Sequence, residues 1–271
     1  MNELFSSVRF WIDPFIVVII ASAALGMLGV LTTLRRSLFV PVTLAQTGAL
    51  GVTVAFFLSE LIAVELPPFP FALLTALGAS ALFAARRSGG AVAEAVLFIA
   101  ASAGTILIGS FLRGDIHDVQ GILFGSAVLV SRGEMLTVVG VALPAVILFF
   151  ALRRSLFAAS FDPDSYAAAG RSPFLADLIL YAMLSVLIAV TTRALGTLLV
   201  FAATALPALA ALAMGRSFDQ VLVRAALVGA CGGGIGFIMS WLFDLPTGAT
   251  VAALLCLFGA VGMIAQKLPS R

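Results

Sequence analysis

The chain has 271 residues, of which 62% are hydrophobic and only 10% are charged, and its mean hydropathy is +1.19. A soluble domain carries about 25% charged residues, so this composition excludes an ordinary soluble fold and makes lipid the surrounding solvent. Fifteen Lys and Arg residues against thirteen Asp and Glu give a net charge of +2, which excludes the basic field of a nucleic-acid-binding protein.

Apolar runs of spanning length follow one another along the chain and predict an all-α, polytopic membrane bundle. One crossing takes about 20 apolar residues, so 1–271 is predicted to form a single transmembrane domain with no room for a soluble catalytic domain. Pro207 falls inside one run and leaves open whether that run crosses, so we expect eight or nine spans. The runs are 14–34, 41–63, 68–85, 91–112, 134–152, 174–192, 196–214, 222–243 and 248–266.

The basic residues predict the orientation of the bundle. If nine spans alternate, eleven Lys and Arg residues fall on one side and four on the other. Cytoplasmic loops are enriched in Lys and Arg, so we expect the amino terminus outside and the carboxyl terminus in the cytoplasm. The four outer residues are Arg9, Arg113, Arg132 and Arg193.

The outer connection at 113–133 contains two candidate features. The stretch 119–130 is apolar but too short to cross the membrane, and it is predicted to be an outer half-helix. Just before it stand Asp115, His117 and Asp118, whose oxygen and nitrogen atoms can bind a metal ion. Such a cluster in a loop is either a metal site or solvated polar surface, and the sequence leaves both open.

The cytoplasmic connection at about 155–172 is predicted to contain a short helix. Asp162 or Asp164 would cap its first turn, and the alanines around Ala168 favour helix. Gly170 would end it before Pro173 opens the next span. A capped segment of this kind is either a docking site for a partner protein or an ordinary connector.

Two patterns recur within the chain. Two overlapping Gly-x-x-x-Gly motifs within 229–236 predict close helix packing, either inside the bundle or between two copies. The hexapeptide Leu-Arg-Arg-Ser-Leu-Phe occurs at 34–39 and again at 152–157. It is either the trace of an internal duplication or a basic stop signal used twice at the cytoplasmic face.

The few ionisable residues argue against chemistry within this chain. None lies near the middle of a predicted span, where a charge costs about 2.5 kcal/mol or more and proton-coupled transporters keep one for function. The only lysine, Lys267, follows Gln266 rather than Gly, so an ATPase would have to be a separate chain. Ser80 stands in the Gly-x-Ser setting of intramembrane serine proteases, but the only histidine, His117, is in a loop and cannot reach it. We therefore predict no enzyme.

Five motifs occur along the chain in a fixed order. They are Leu34-Arg-Arg36, Ile122-Leu-Phe-Gly-Ser126, Phe161-Asp-Pro-Asp164 through Ala167-Ala-Ala-Gly170, Gly196-Thr-Leu-Leu-Val200 with Pro207-Ala208, and Asp244-Leu-Pro-Thr-Gly248. Each motif is weak alone, but together and in this order they cover most of the chain. The chain resembles the permease subunits of the bacterial zinc/manganese/iron ABC transporters.

The resemblance implies a homodimer of permeases in the bacterial cytoplasmic membrane. Two ATPase chains, which hold ATP and magnesium, and an extracytoplasmic binding protein are the implied partners, and this chain needs no cofactor of its own. The implied activity is ATP-driven import of a divalent metal ion. The ATPase is implied to dock on the segment that contains Asp162, Asp164, Ala168 and Gly170.

The chain departs from the resemblance at the start of the second span. The family reads Gly-Asp-Ala-Leu-Ser-His there, with the aspartate and histidine facing the pathway, whereas this chain reads Pro41-Val-Thr-Leu-Ala-Gln46. Val42 cannot ligate a metal, and Gln46 offers only a neutral carbonyl. Three interpretations stay open: weaker metal coordination by Thr43, Gln46 and Thr47, a non-metal cargo, or interhelical hydrogen bonds in a non-transporting scaffold.

Overall fold

The computed structural model describes residues 2–86, 90–112, 130–215 and 217–267. Within these ranges the chain forms helices and no strand, which confirms the predicted all-α class. The described helices are α1 (Asn2–Leu34), α2 (Val40–Ile62), α3 (Pro68–Ala85), α4 (Gly90–Gly109), α5 (Arg132–Phe161), α6 (Pro163–Ala168), α7 (Pro173–Leu195), α8 (Thr197–Met214), α9 (Phe218–Phe243) and α10 (Thr247–Lys267).

In the described part of the chain, nine helices are long and apolar enough to cross a membrane, and only α6 is too short. The higher of the two predicted counts is therefore confirmed. α8 continues through Pro207 without a break. The proline lies against Gly26 of α1, where the missing Cβ leaves room for its ring. A neighbouring helix that accommodates a proline in this way allows the span to stay intact.

Two predicted boundaries differ from the observed ones. α1 begins well before position 14, and its membrane-spanning part starts at Trp11. α5 extends to Phe161 rather than ending near 152, so the first part of the predicted 155–172 connection belongs to α5. The helix stops at Asp162 because Pro163 disfavours helical backbone in the residue before it. The predicted half-helix at 119–130 lies outside the described residues except for Val130.

α1 lies at the centre of the bundle. In the most apolar 18-residue stretch of α1, 72% of the residues are buried, whereas 17% are buried in the corresponding stretch of α5. α1 packs on α8, α9 and α5, and α10 covers α8 and α9. A second group consists of α2, which packs on α3 and α4. α7 connects it to the helices around α1, because α7 packs on both α3 and α5. The largest fully buried side chains include Leu25, Leu28, Leu31, Leu184, Leu187 and Leu199.

The glycine motifs of α9 serve packing inside the bundle. A Cβ atom at Gly229 would overlap the main-chain oxygen of Ser22 in α1. On the other side of α9, a Cβ atom at Gly232 would overlap Leu255 of α10. The two faces of the motif therefore let α9 approach α1 and α10 closely, which is the internal one of the two kinds of packing that the sequence left open.

Candidate functional site

The connection between α5 and α7 forms a capped helix. Asp162 Oδ1 accepts a hydrogen bond from the Ser165 main-chain N–H at 3.0 Å and so caps the first turn of α6. Pro163 occupies the first helical position, where no hydrogen bond is lost. After the helix, Gly170 has φ +74, a backbone conformation that favours glycine. The predicted cap and glycine stop are both present, with Asp162 rather than Asp164 as the cap.

The exposed face of α6 is negatively charged. The Ser165 hydroxyl and, next, its main-chain N–H lower the pKa of Asp162, which keeps that carboxyl ionised. Asp164 lies in the same first turn, and no residue of α6 is buried. A Cβ atom at Gly170 would meet nothing within 4 Å. The residues predicted to dock an ATPase, Ala168 among them, therefore share one accessible segment.

Contacts on the other face fix α6 to the neighbouring helices. The Tyr166 hydroxyl lies 2.7 Å from Ser155 Oγ of α5, and the Arg171 guanidinium lies 5.8 Å from the centre of the Tyr166 ring. In the last turns of α5, the rings of Phe157 and of Phe218 in α9 are 4.4 Å apart. α6 is thus attached to α5 through Tyr166, and α5 in turn contacts α9 through Phe157.

The predicted pathway residues lie in the first turns of α2. The hydroxyls of Thr43 and Thr47 each donate to a main-chain carbonyl about one turn earlier, at 2.9 and 3.0 Å. Thr43 Oγ1 also lies 3.1 Å from the Glu94 carbonyl of α4. Gln46 differs, because its buried Oε1 has no hydrogen-bond partner among the described residues. Of the three, only Gln46 has a buried side-chain oxygen that makes no hydrogen bond with the described residues.

An apolar cavity of about 320 Å³ lies between α2, α3 and α7. Ala45 and Ala49, on either side of Gln46 in the sequence, form part of its α2 wall. Arg193 lines one end, and its Nε lies 3.5 Å from Glu134 Oε1 at the start of α5. Among the described residues that line it, only Thr192 and Arg193 are polar, so this lining contains no set of metal ligands.

The candidate metal cluster lies outside the described residues. Asp115, His117 and Asp118 all fall within 113–129, which the structure does not describe. In the ranges that it does describe, no three His, Cys, Asp or Glu side chains are close enough together to hold a metal ion.

The Ser80 hydroxyl takes part in helix packing. Ser80 Oγ lies 2.6 Å from Ser185 Oγ of α7 and 3.1 Å from the Tyr181 carbonyl of the same helix. These contacts tie α3 to α7. The hydroxyl that suggested a protease thus forms an interhelical hydrogen bond.

A buried charged cluster near α6 escaped the sequence analysis. Arg35 Nη1 lies 2.7 Å from Asp177 Oδ1, and Arg35 Nε donates to Ser160 Oγ at 2.8 Å. The same guanidinium lies 5.6 Å from the centre of the Tyr181 ring. The sequence analysis assigned Arg35 only to the cytoplasmic basic residues. Two features of the sequence could have indicated this pair. Asp177 lies one turn inside the start of its helix, and Arg35 directly follows the end of another span.

The chain matches the family model of the ABC 3 transport family over residues 7–266. It is 26% identical over 246 residues to a membrane protein of Synechocystis sp., covering 90% of this chain and 86% of that one. It is 28% identical over 156 residues to the manganese transport system membrane protein MntC of Halalkalibacterium halodurans, covering 58% of this chain and 53% of that one.

A solved structure has the same fold. The structure of PsaBC from Streptococcus pneumoniae in complex with Fab superimposes with a TM-score of 0.81 at 20% sequence identity. The superposition covers 96% of this chain and 94% of that one.

Proposed function

Because this chain belongs to the ABC 3 transport family, we propose that it is the membrane-spanning permease of an ATP-driven importer for a divalent metal ion. Two copies of the chain, two ATPase chains and an extracytoplasmic binding protein complete the proposed transporter. It lies in the bacterial cytoplasmic membrane, with the amino terminus outside and the carboxyl terminus in the cytoplasm. ATP and magnesium bind to the ATPase chains, and this chain catalyses no reaction.

The exposed helix α6 is the observation that carries the proposal. A helix capped by Asp162 that buries none of its residues contributes little to the core, so its surface is available to a partner. Tyr166 attaches α6 to Ser155 of α5, and Phe157 of α5 contacts Phe218 of α9, so α6 is linked to α9 through α5. A docking segment with both properties can pass a movement of the ATPase on to the spanning helices.

The first turns of α2 are the proposed part of the metal pathway. The buried Gln46 Oε1 has no other hydrogen-bond partner among the described residues, and Thr43 and Thr47 supply hydroxyl oxygens nearby in the sequence. Neutral oxygen ligands suit manganese better than zinc, which prefers nitrogen and sulfur. The relationship to a manganese transport protein supports the same choice. Asp115, His117 and Asp118 are the proposed outer contact for the incoming ion.

Val42 favours a second candidate, an importer of this family with a non-metal cargo. It stands where the related permeases have a metal-ligating aspartate, and it cannot bind a metal. An organic cargo would instead use the apolar cavity beside α2 and the amide of Gln46.

Vesicle uptake tests these proposals. The tagged chain is purified from its own cells together with its bound ATPase and reconstituted, and accumulated manganese, zinc and iron are measured by mass spectrometry after adding ATP and the binding protein. We expect ATP-dependent accumulation of manganese, and none when the ATPase cannot hydrolyse ATP. Stimulated ATP hydrolysis without metal uptake would identify the non-metal importer. Purification without any ATPase would contradict the transporter and favour a scaffold.

A further inference from the structure

A charged cavity of about 480 Å³ opens near α6. It lies where α1, α3 and α5 end and where α4 and α7 begin. Three arginines and two acids line it, although the surrounding bundle is apolar. These are Arg35, Arg36, Arg86, Glu94 and Asp177. Charged groups inside a membrane protein are costly unless each is paired, so the partner of each group has to be identified.

Two of these residues keep a buried atom that no described residue pairs. Arg35 Nη2 and Glu94 Oε2 have no hydrogen-bond partner among the described residues. The Arg35 side chain is 9% exposed and Glu94 is 2% exposed. The remaining Arg35 nitrogens are already used by Asp177 and Ser160. The cavity wall therefore holds one donor nitrogen and one acceptor oxygen whose hydrogen bonds the described residues do not supply.

The charges define the chemistry of that ligand. Asp177 is paired with Arg35, so Arg36 and Arg86 face only Glu94, and the cavity wall carries one excess positive charge. Guanidinium groups bind phosphate oxygens through parallel hydrogen bonds. Glu94 Oε2 accepts a hydrogen bond from an ammonium or a hydroxyl group. A phosphate ester that also carries a hydrogen-bond donor satisfies both sides of the cavity.

An apolar track leads from the cavity along α4. Val92 lines the cavity and is 72% exposed, and Val96 and Ile99 are 62% and 63% exposed. Their spacing of four and three residues places them on one face of the helix, which faces out of the bundle. Because this face of α4 is apolar and faces out of the bundle, an acyl chain can lie along it. We infer that the cavity binds a phospholipid headgroup bearing an ammonium or hydroxyl, as in phosphatidylethanolamine or phosphatidylglycerol.

Lipid binding to the full-length chain, measured by native mass spectrometry, tests this inference. We expect phosphatidylethanolamine and phosphatidylglycerol to bind about tenfold or more tightly than phosphatidylcholine, because the choline group has the same phosphate but no N–H or O–H donor. Equal binding of the three lipids would overturn the proposal. Soluble glycerophosphoethanolamine should not compete at matched concentration. Effective competition would assign the cavity to a soluble ligand and contradict the lipid.

Variants locate the binding at the cavity. Glu94→Met should abolish the preference over phosphatidylcholine, and Arg86→Gln, a change at an exposed residue, should weaken binding of all three lipids severalfold. Glu65→Gln alters an exposed acid between α2 and α3 and should change nothing. If Glu94→Met does not fold, the wild-type preference and Arg86→Gln decide the result. Unchanged binding by Arg86→Gln would overturn the proposed site. The proposed lipid binding does not depend on which cargo the transporter carries.

Discussion

Arg35 and Asp177 form a buried ion pair of 2.7 Å between the end of α1 and the first turns of α7. The same arginine donates to Ser160 Oγ in the last turn of α5, two residues before the cap of α6. One guanidinium therefore connects three spanning helices beside the proposed docking segment. If α6 docks the ATPase as proposed, we expect this connection to link α6 to the central helix of the bundle.

We expect Asp177→Asn to lower the free energy of unfolding by about 3–5 kcal/mol, because it leaves the Arg35 charge buried without a counter-charge. The measurement is reversible unfolding in mixed detergent micelles. Asp219→Asn is the matched control, since Asp219 and Arg153 form a 2.9 Å pair whose side chains are 67% and 28% exposed. An exposed pair contributes about 0–1 kcal/mol. If the two variants lose the same free energy of unfolding, burial does not explain the contribution of the Arg35–Asp177 pair.

The lengths of the apolar runs were sufficient to predict the type of the spans and to limit their number to eight or nine, because a membrane helix requires a long apolar run. The repeated hexapeptide shows where sequence alone was insufficient. At 34–39 it forms the turn between α1 and α2, with Arg36 at φ +58, whereas at 152–157 it is continuous helix within α5. The residues that follow decide the difference. A helix that continued through the first copy would lose a hydrogen bond at Pro41, whereas alanines continue the helix after the second copy.

The buried partners of the candidate site were less predictable for a different physical reason. Glu94 and Asp177 are close to helix starts in the sequence, a position that usually faces water. Only the packing of α4 on α2, and of α7 on α3 and α5, buries them, and that packing depends on contacts far apart in the chain. The cap of α6, in contrast, depends on residues within one turn, and it was predictable from local sequence.

The left-handed backbone of Gly170 predicts the effect of replacing it. Gly170→Val should disfavour the native turn by about 1–2 kcal/mol, because a β-branched residue is strained at φ +74. Open space around the position means that the effect is conformational rather than steric. We expect less ATPase to co-purify with Gly170→Val and nearly normal amounts with Gly170→Asn, since Asn tolerates this conformation. Gly140→Ala, in the open face of α5, is the control and should leave co-purification unchanged.

The cap of α6 should titrate below the usual range for aspartate. Hydrogen bonds from Ser165 lower the pKa of Asp162 in the folded chain, so the cap stabilises α6 above the unfolded-state pKa and weakens as the pH falls through the folded-state value. The carboxyl carbon of Asp162, followed by NMR in micelles, reports this pKa. Ser165→Ala removes the hydroxyl but keeps the main-chain N–H, so it should raise the pKa toward its ordinary value. An identical titration in both proteins would show that the hydroxyl does not hold the carboxylate.

Close approach of α1 and α8 depends on Gly29. A Cβ atom at this position would overlap the main-chain oxygen of Thr204, and neither helix backbone can move without disturbing the core. Gly29→Ala should therefore destabilise the protein by about 1–3 kcal/mol, measured as a lower unfolding free energy. Gly78→Ala is the matched control in α3, where the added methyl would meet nothing within 4 Å. That variant should be neutral or more stable by roughly 0.5–1 kcal/mol, because alanine favours helix.

Gln46 provides the most direct test of the proposed pathway. Its buried Oε1 has no partner among the described residues, so Gln46→Leu removes no internal hydrogen bond of that oxygen and should leave folding and ATPase co-purification intact. We expect metal uptake to fall at least severalfold, because the pathway loses a carbonyl ligand. Gln46→His should bind transition metals more tightly, measured as metal retained per chain after gel filtration. Thr53→Val is the control, since the Thr53 hydroxyl donates only to Ala49 of its own helix at 3.0 Å. If Gln46→Leu and Thr53→Val transport equally well, Gln46 does not contact the cargo.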